Sequence, residues 1–103
     1  MEIPIHKNKK MRIIGYIEHP VLKITIFQME NKLSVKLESG LFEQTYKFRT
    51  GDQVNTAEDI RKVVDDNFIT AVLEQMNRMR SLRNEALARL GPAEEDDEFE
   101  EIL

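Results

Sequence analysis

The residues KLSVKLESGLFEQTYKFR, positions 32–49, alternate between apolar and polar side chains on both sides of the pair Ser39-Gly40. The apolar set is Leu33, Val35, Leu37, Phe42, Tyr46 and Phe48. The polar set is Ser34, Lys36, Glu38, Glu43, Thr45, Lys47 and Arg49. A period of two places such sets on opposite faces of a β-strand. The stretch therefore predicts two adjacent antiparallel strands with one buried and one solvated face.

Two further strands precede this stretch. Residues 11–18 and 21–29 are rich in β-branched and aromatic side chains, and the pairs His19-Pro20 and Glu30-Asn31 separate them from each other and from residue 32. Four strands joined by tight turns predict an antiparallel meander. In the second strand Leu22, Ile24 and Ile26 alternate with Lys23, Thr25 and Phe27. The first strand lacks a clear alternation, so the sequence does not show which of its two faces is buried.

The period changes after a connector at residues 50–55. Thr56 and Asp59 have the spacing of a capping box, with Asp in place of the usual Glu or Gln, so a helix is expected to begin near Ala57. Apolar residues then recur at spacings of three and four up to Leu90, and Gly91-Pro92 supplies a stop. One long helix or two shorter ones fit this pattern, with residues 65–67 as the expected break. At about 1.5 Å per residue the helix would overhang its sheet.

These elements predict an α+β fold, a four-stranded antiparallel meander followed by one long C-terminal helix, with a kink left open. The domain is expected over residues 11–91, between a flexible arm at 1–10 and an acidic, disordered tail at 92–103. The chain of 103 residues has no cysteine, which excludes disulfides and thiolate metal sites. The lack of a long apolar run excludes a membrane span. A cytoplasmic protein without membrane contact is expected.

The charge is divided unevenly along the chain. The net charge is −4, from 15 basic and 19 acidic residues, and seven of the acids lie in residues 94–103. A mildly basic body is therefore joined to an acidic tail with apolar residues near its end. Such a tail should stay solvated, because it cannot form a core. This composition favours a binding protein.

The solvated face of the sheet is the first candidate binding site. It is expected to carry cations interleaved with aromatic residues, namely Arg12, Tyr16, Lys23, Phe27, Lys36, Lys47 and Arg49. Cations can follow phosphates while aromatic rings stack on bases, so single-stranded DNA or RNA is the expected ligand. The alternative is that these are ordinary solvent-facing strand residues. Glu38 and Glu43 on the same face count against nucleic acid.

The helix and the tail are candidate protein-binding surfaces. Met76, Met79 and Leu82 continue the apolar stripe past the expected end of the sheet, which predicts a homodimer formed through the helix. Alternatively the helix folds back and these residues fill the core. The tail residues Phe99, Ile102 and Leu103 could dock into a protein partner, while the surrounding acids compete with phosphate for the basic residues of the body. The other explanation for the tail is solubility.

Two resemblances support the nucleic-acid hypothesis. The order of elements resembles that of Whirly-type and Pur-type single-strand-binding proteins, and the tail is similar in form to the acidic tails of bacterial single-stranded DNA-binding proteins. Both likenesses concern architecture or composition, and they imply a single-stranded ligand on the sheet.

Catalytic and metal-binding patterns are not evident in the sequence. His6 and His19 are the only histidines, and neither has the spacing of a metal site or accompanies a nucleophile motif. No cofactor is expected. The leading hypothesis is a non-enzymatic binding module for single-stranded nucleic acid, and the alternative is a protein-interaction adaptor that dimerises through its helix.

Overall fold

The computed structural model describes residues 11–51 and 53–91. Four strands form one antiparallel sheet in sequence order: β1 (Arg12–Ile17), β2 (Lys23–Met29), β3 (Lys32–Ser39) and β4 (Phe42–Arg49). Two helices follow, α1 (Ala57–Val63) and α2 (Asp66–Ala88). The predicted meander and the long C-terminal helix are thereby confirmed. The arm at 1–10 and the tail at 92–103 lie outside the described residues.

The strand register sorts the side chains into the two predicted faces. Ile24 and Ile26 of β2 lie opposite Leu37 and Val35 of β3, and Leu33 lies opposite Phe48 of β4. These residues form one core with Ile60 of α1 and with Val72 and Met76 of α2. Both helices therefore cover the face predicted to be buried, because the hydrophobic effect favours removing the apolar side of each element from water.

A β-bulge in β1 explains why its alternation could not be read. Ile13 pairs with Phe27, but Gly15 pairs with Ile26, so Ile14 is an extra residue between them. The bulge places Ile13 and Tyr16 on the same face, which a regular strand cannot do. Arg12 lies opposite Gln28, on the helix-covered face, and its guanidinium is 3.4 Å from Gln28 Oε1. The expectation that Arg12 lies on the solvated face is therefore wrong.

The helical region is divided at Val64 and Asp65, next to the place where the sequence left a kink or break open. The Thr56 hydroxyl accepts from the Asp59 N–H and the Asp59 carboxylate accepts from the Thr56 N–H, which completes the predicted capping box of α1. Helix α1 ends at Val63, and Asp65 caps α2 by accepting from the Phe68 N–H at 2.9 Å. Asp65 thus provides a hydrogen-bond acceptor at the start of the second helix, so the change of direction costs little folding free energy.

The capping box makes the stability of the fold dependent on pH. The Asn55 N–H, with further bonds from Thr56, holds the pKa of Asp59 below its usual value of 3.8. Since the folded-state pKa is the lower one, ionised Asp59 stabilises the fold above the usual value, and this stabilisation is lost as pH falls through the folded-state pKa. We expect Asp59→Asn to lower the free energy of unfolding near neutral pH, and its difference from the parent to shrink in acid. Urea unfolding across pH measures this, and a difference independent of pH would contradict it.

Helix α2 runs along β4 in the opposite direction. The Phe68 ring packs edge-on against Tyr46 with centroids 5.2 Å apart, the Gln44 side-chain amide donates to the Val72 carbonyl at 2.9 Å, and the Arg80 guanidinium lies over the Phe42 ring. Beyond Arg80 the helix continues for another two turns, about 12 Å, past the first residue of β4. We call residues 81–88 the overhang. All of its residues are exposed, as the helix length predicted.

Candidate nucleic-acid interface

The sheet face opposite the helices is the candidate site, and we call it the open face. The strand register assigns to it Ile13 and Tyr16 of β1, Lys23, Thr25, Phe27 and Met29 of β2, Lys32, Ser34, Lys36 and Glu38 of β3, and Glu43, Thr45, Lys47 and Arg49 of β4. Neither of the described helices packs on it, because Ile60, Val72 and Met76 join the core on the other side. The site is thus built entirely from strand residues at fixed spacing.

Charge is graded along the open face. At one end Lys23, Glu38 and Glu43 lie opposite one another across three strands, while at the other end Lys32 lies opposite Arg49. Lys47 is close to the basic end. The five cations of this face outnumber its two carboxylates, so its field favours an anion, most strongly away from the glutamates.

Lys36 connects the charged and aromatic parts of the face. Its ammonium is 3.5 Å from Glu38 Oε2 and 5.5 Å from the centroid of the Phe27 ring. The ion pair is partly exposed, so its contribution to stability is small. The contact with Phe27 holds a cation directly beside an aromatic surface. The face therefore has a positive charge and an aromatic ring at the same place.

Apolar side chains surround this pair on the β1 side. Met11, Ile13 and Tyr16 are each more than half exposed, whereas Thr25 and Ser34 at the centre of the face are buried between larger neighbours. A hollow of about 220 Å³ is lined by Met11, Phe27, Met29, Ser34, Lys36, Glu43, Thr45 and Lys47. Its lining combines apolar side chains with two lysines and one carboxylate, so an apolar wall lies beside an excess of positive charge, which suits a planar ring with an attached anionic group.

The structure brings together six of the seven residues predicted for this site. Tyr16, Lys23, Phe27, Lys36, Lys47 and Arg49 all lie on the open face. Arg12 lies on the helix-covered face instead, because the bulge at Ile14 exchanges the faces of the residues that precede it. Sequence reasoning missed Lys32, Ile13 and Met29. The alternation of β3 assigns Lys32 to the same face as Lys36, so that residue was predictable, whereas the position of Ile13 depends on the bulge.

The residues predicted to contact a protein partner have different environments. Met76 is only 2% exposed and belongs to the core of the domain, in contrast to its expected role at a partner surface. Met79 is half-buried against the core, and Leu82 on the overhang is 62% exposed. Leu82 is therefore accessible to a partner in the described structure. Phe99, Ile102 and Leu103 lie outside the described residues.

His19 has a local structural role. Its Nδ1 accepts hydrogen bonds from the N–H groups of Val21 and Leu22, both at 3.1 Å, which closes the turn between β1 and β2. Within residues 11–51 and 53–91, no three His, Asp or Glu side chains cluster in a way that could hold a metal ion. None of the helices in these ranges is both long and apolar enough to cross a membrane.

The two hydrogen bonds of His19 lead to a stability prediction. We expect His19→Ala to lower the free energy of unfolding by about 1–2 kcal/mol, because the Val21 and Leu22 N–H groups lose their acceptor. His19→Asn should lose less, since an Asn side-chain oxygen can accept in the same place. Urea unfolding of the parent chain and of the two variants measures their free energies of unfolding. Equal losses in both variants would show that the hydrogen bonds to Nδ1 are not what stabilises this turn.

Comparisons of the chain with protein-family models, with curated proteins and with solved structures yield no match.

Proposed function

We propose that this protein is a non-enzymatic binding module that holds single-stranded DNA or RNA on its open face. The observation that carries the proposal is the placement of Lys36 over Phe27, with Tyr16 and Lys47 on the flanking strands of the same face. A cation beside accessible aromatic surface can bind phosphate and base at once, which single-stranded ligands require.

The charge gradient suggests where the ligand lies. Phosphates are attracted to Lys32, Lys47 and Arg49 and repelled by Glu38 and Glu43, so the backbone of the ligand follows the basic end of the face. Bases then point toward Phe27, Tyr16 and the hollow. Stacking of a base on an aromatic side chain contributes about 1–3 kcal/mol and tolerates any base. Binding with weak sequence preference is therefore expected.

Duplex DNA is a poorer ligand for this site. Its bases are paired and stacked, so their faces are not accessible to Phe27 or Tyr16, and only the phosphate contacts remain. The open face belongs to a sheet, and no described helix projects from it to enter a groove. A preference for single strands over duplex separates the proposal from simple attraction to polyanions.

The acidic tail is proposed to compete with the ligand. Residues 94–103 carry seven carboxylates and no cation, and the open face carries an excess of cations. Attraction between the two would weaken nucleic-acid binding at low salt, where screening is least. Removing the tail should therefore raise the affinity for an oligonucleotide.

Oligonucleotide titration at several salt concentrations tests the proposal. The probes are a fluorescent single-stranded oligonucleotide and the matched duplex, added to the full chain and to a chain ending at residue 93. We expect single-strand binding that weakens with salt, with a log–log slope of about −0.7 for each phosphate contact, and tighter binding by the shortened chain. Absence of binding at low salt by both chains would refute the function, and equal affinity for the duplex would refute the stacking mechanism.

A second candidate function is protein interaction. The observation that favours it is the overhang of α2, where Leu82 and Leu87 are 62% and 47% exposed. Exposed apolar side chains on a helix that leaves its own sheet are typical of a surface that binds another protein. A homodimer and an adaptor for other proteins both fall within this candidate. Its simplest partner is a second copy of the chain.

A further inference from the structure

Among residues 11–51 and 53–91, no strand pairs with the outer edge of β4, which has a regular row of free backbone groups. The Thr50 N–H donates to the Asn31 carbonyl at 2.8 Å, just beyond the last pair of the β3–β4 ladder. Because an antiparallel ladder alternates, Phe42, Gln44, Tyr46 and Phe48 direct their backbone groups toward β3, as Thr50 does. The N–H and C=O groups of Glu43, Thr45, Lys47 and Arg49 therefore point away from the sheet. An edge of this kind can accept another strand.

The two edges of the sheet differ in their protection. The β1 edge is interrupted by the bulge at Ile14, and bulges disfavour pairing with another chain. The eight residues of β4 pair with β3 without any shift in register, so its outer edge is straight. The charges along that edge also change sign, from Glu43 at its beginning to Lys47 and Arg49 at its end. An antiparallel copy of the same edge would meet it with opposite charges.

We propose that two copies of the chain pair antiparallel along β4, with Thr45 of each copy on the two-fold axis. In this register Glu43 lies opposite Lys47 of the second copy, twice by symmetry, and about six hydrogen bonds join the strands. On the helix-covered face Phe42 lies opposite Phe48 of the second copy. Opposite charges and aromatic pairs are among the favourable cross-strand pairs in antiparallel sheets.

Neighbouring registers are less favourable on charge. In one shifted register Lys47 lies opposite Lys47 of the second copy, and in another Glu43 lies opposite Glu43. Both registers place like charges directly opposite each other. A smaller shift leaves Glu43 opposite the neutral Thr45. The remaining charge-matched register pairs Glu43 with Arg49 of the second copy but gives up the Phe42–Phe48 contact. Of these registers, only the Thr45-centred one pairs opposite charges on the open face and also Phe42 with Phe48 on the helix-covered face.

The same symmetry gives the overhang of α2 a binding site. The overhang passes the first residue of β4. Near the last residues of β4 lies a groove whose apolar lining is Phe48, Val54 and Val63 and whose polar lining is Lys47, Arg49 and Gln53. Antiparallel pairing brings the beginning of one β4 beside the end of the other. Leu82 of each copy is thereby carried toward the groove of the other copy, so the exposed helix surface and the groove are covered reciprocally.

This dimer specifies the protein-interaction candidate and does not rest on nucleic-acid binding. Pairing of the β4 strands extends the open face across both sheets, because the open face is the opposite side from the helices in each copy. The dimer is measured without nucleic acid, so its failure would leave the proposed binding function unaffected.

The mass of the full chain in solution, measured by light scattering and sedimentation, tests the proposal. We expect about twice the chain mass of 12.1 kDa. Glu43→Lys and Lys47→Glu, each alone, should weaken the dimer at least about tenfold, and the two together should restore it, since the swapped charges again face each other. Leu82→Asp should weaken it as well. Glu74→Lys on the exposed side of α2 is the matched control and should leave the dimer unchanged.

Several results would overturn the proposal. A monomeric parent chain would exclude the dimer. If both single variants keep the mass of a dimer, β4 is not the interface. The same conclusion follows if the double variant dimerises as weakly as the single variants. Rescue of Glu43→Lys by Arg49→Glu in place of Lys47→Glu would exclude the Thr45-centred register. Circular dichroism of each variant shows whether a loss of mass reflects unfolding. The substituted side chains are all exposed, so we expect the fold to be retained.

Discussion

Reversal of Lys32 and Lys36 to glutamate is expected to weaken single-stranded oligonucleotide binding by about a hundredfold at low salt. Each lost phosphate contact and each introduced carboxylate opposes binding by an amount on the order of 0.7 kcal/mol, so four such changes amount to about 2.8 kcal/mol. The salt slope should also become shallower by about 1.4, because two counterion-releasing contacts are lost. The Lys36 change removes in addition the cation that lies over Phe27.

The matched control reverses two cations away from the open face. Lys62→Glu with Arg78→Glu changes the net charge by the same amount, and both positions are exposed on helices. We expect this variant to retain most of the affinity and an almost unchanged salt slope. Equal weakening in the two double variants would show that binding follows total charge, without a site on the sheet. Lys47 is left unchanged in both variants, so that the β4 edge is not altered.

Truncation of Ile26 to alanine is expected to lower the free energy of unfolding by about 2–5 kcal/mol. Ile26 is fully buried in β2, between Gly15 of β1 and Val35 of β3. Its loss removes apolar contacts and leaves a cavity that a close-packed core fills only in part. A small domain has a total stability of about 5–15 kcal/mol, so this loss would remove a large part of it.

Ile13→Ala is the matched control for the core prediction. Ile13 has the same side chain in a neighbouring strand but is 53% exposed on the open face. We expect Ile13→Ala to lower the free energy of unfolding by less than about 1 kcal/mol, as most surface substitutions do. Urea unfolding of both variants gives the comparison. If the two truncations cost the same, the helices would not cover the face assigned to them here.

The local patterns of the sequence predicted most of the fold. The alternation at residues 32–49 identified both faces of β3 and β4, and the Thr56–Asp59 spacing identified the start of α1. These features depend on neighbours in the chain, which is why a single sequence is sufficient to predict them. The sequence left open whether the helix is continuous and gave residues 65–67 as the place for a kink or break; the structure has a break there, with Asp65 as the N-cap of α2.

Features that depend on contacts between distant residues were harder to predict. The bulge at Ile14 changes the face of Arg12 and Ile13, and nothing local requires it. Met76 and Leu82 belong to the same apolar stripe, yet Met76 is buried and Leu82 is exposed. The difference arises because α2 extends beyond β4, and the relative lengths of helix and strand matter only once the two are packed together.

The sequence by itself determined the element order, the two faces of β2, β3 and β4, the capping box of α1 and an excess of cations on the solvated face, because these follow from side-chain period and short-range hydrogen bonding. Only the tertiary structure decided which residues meet. It placed Lys36 over Phe27, moved Arg12 away from the site, and left one straight strand edge beside a helix that overhangs its sheet. The physical reason is that register and helix placement are set by packing across the sheet, between residues far apart in the chain.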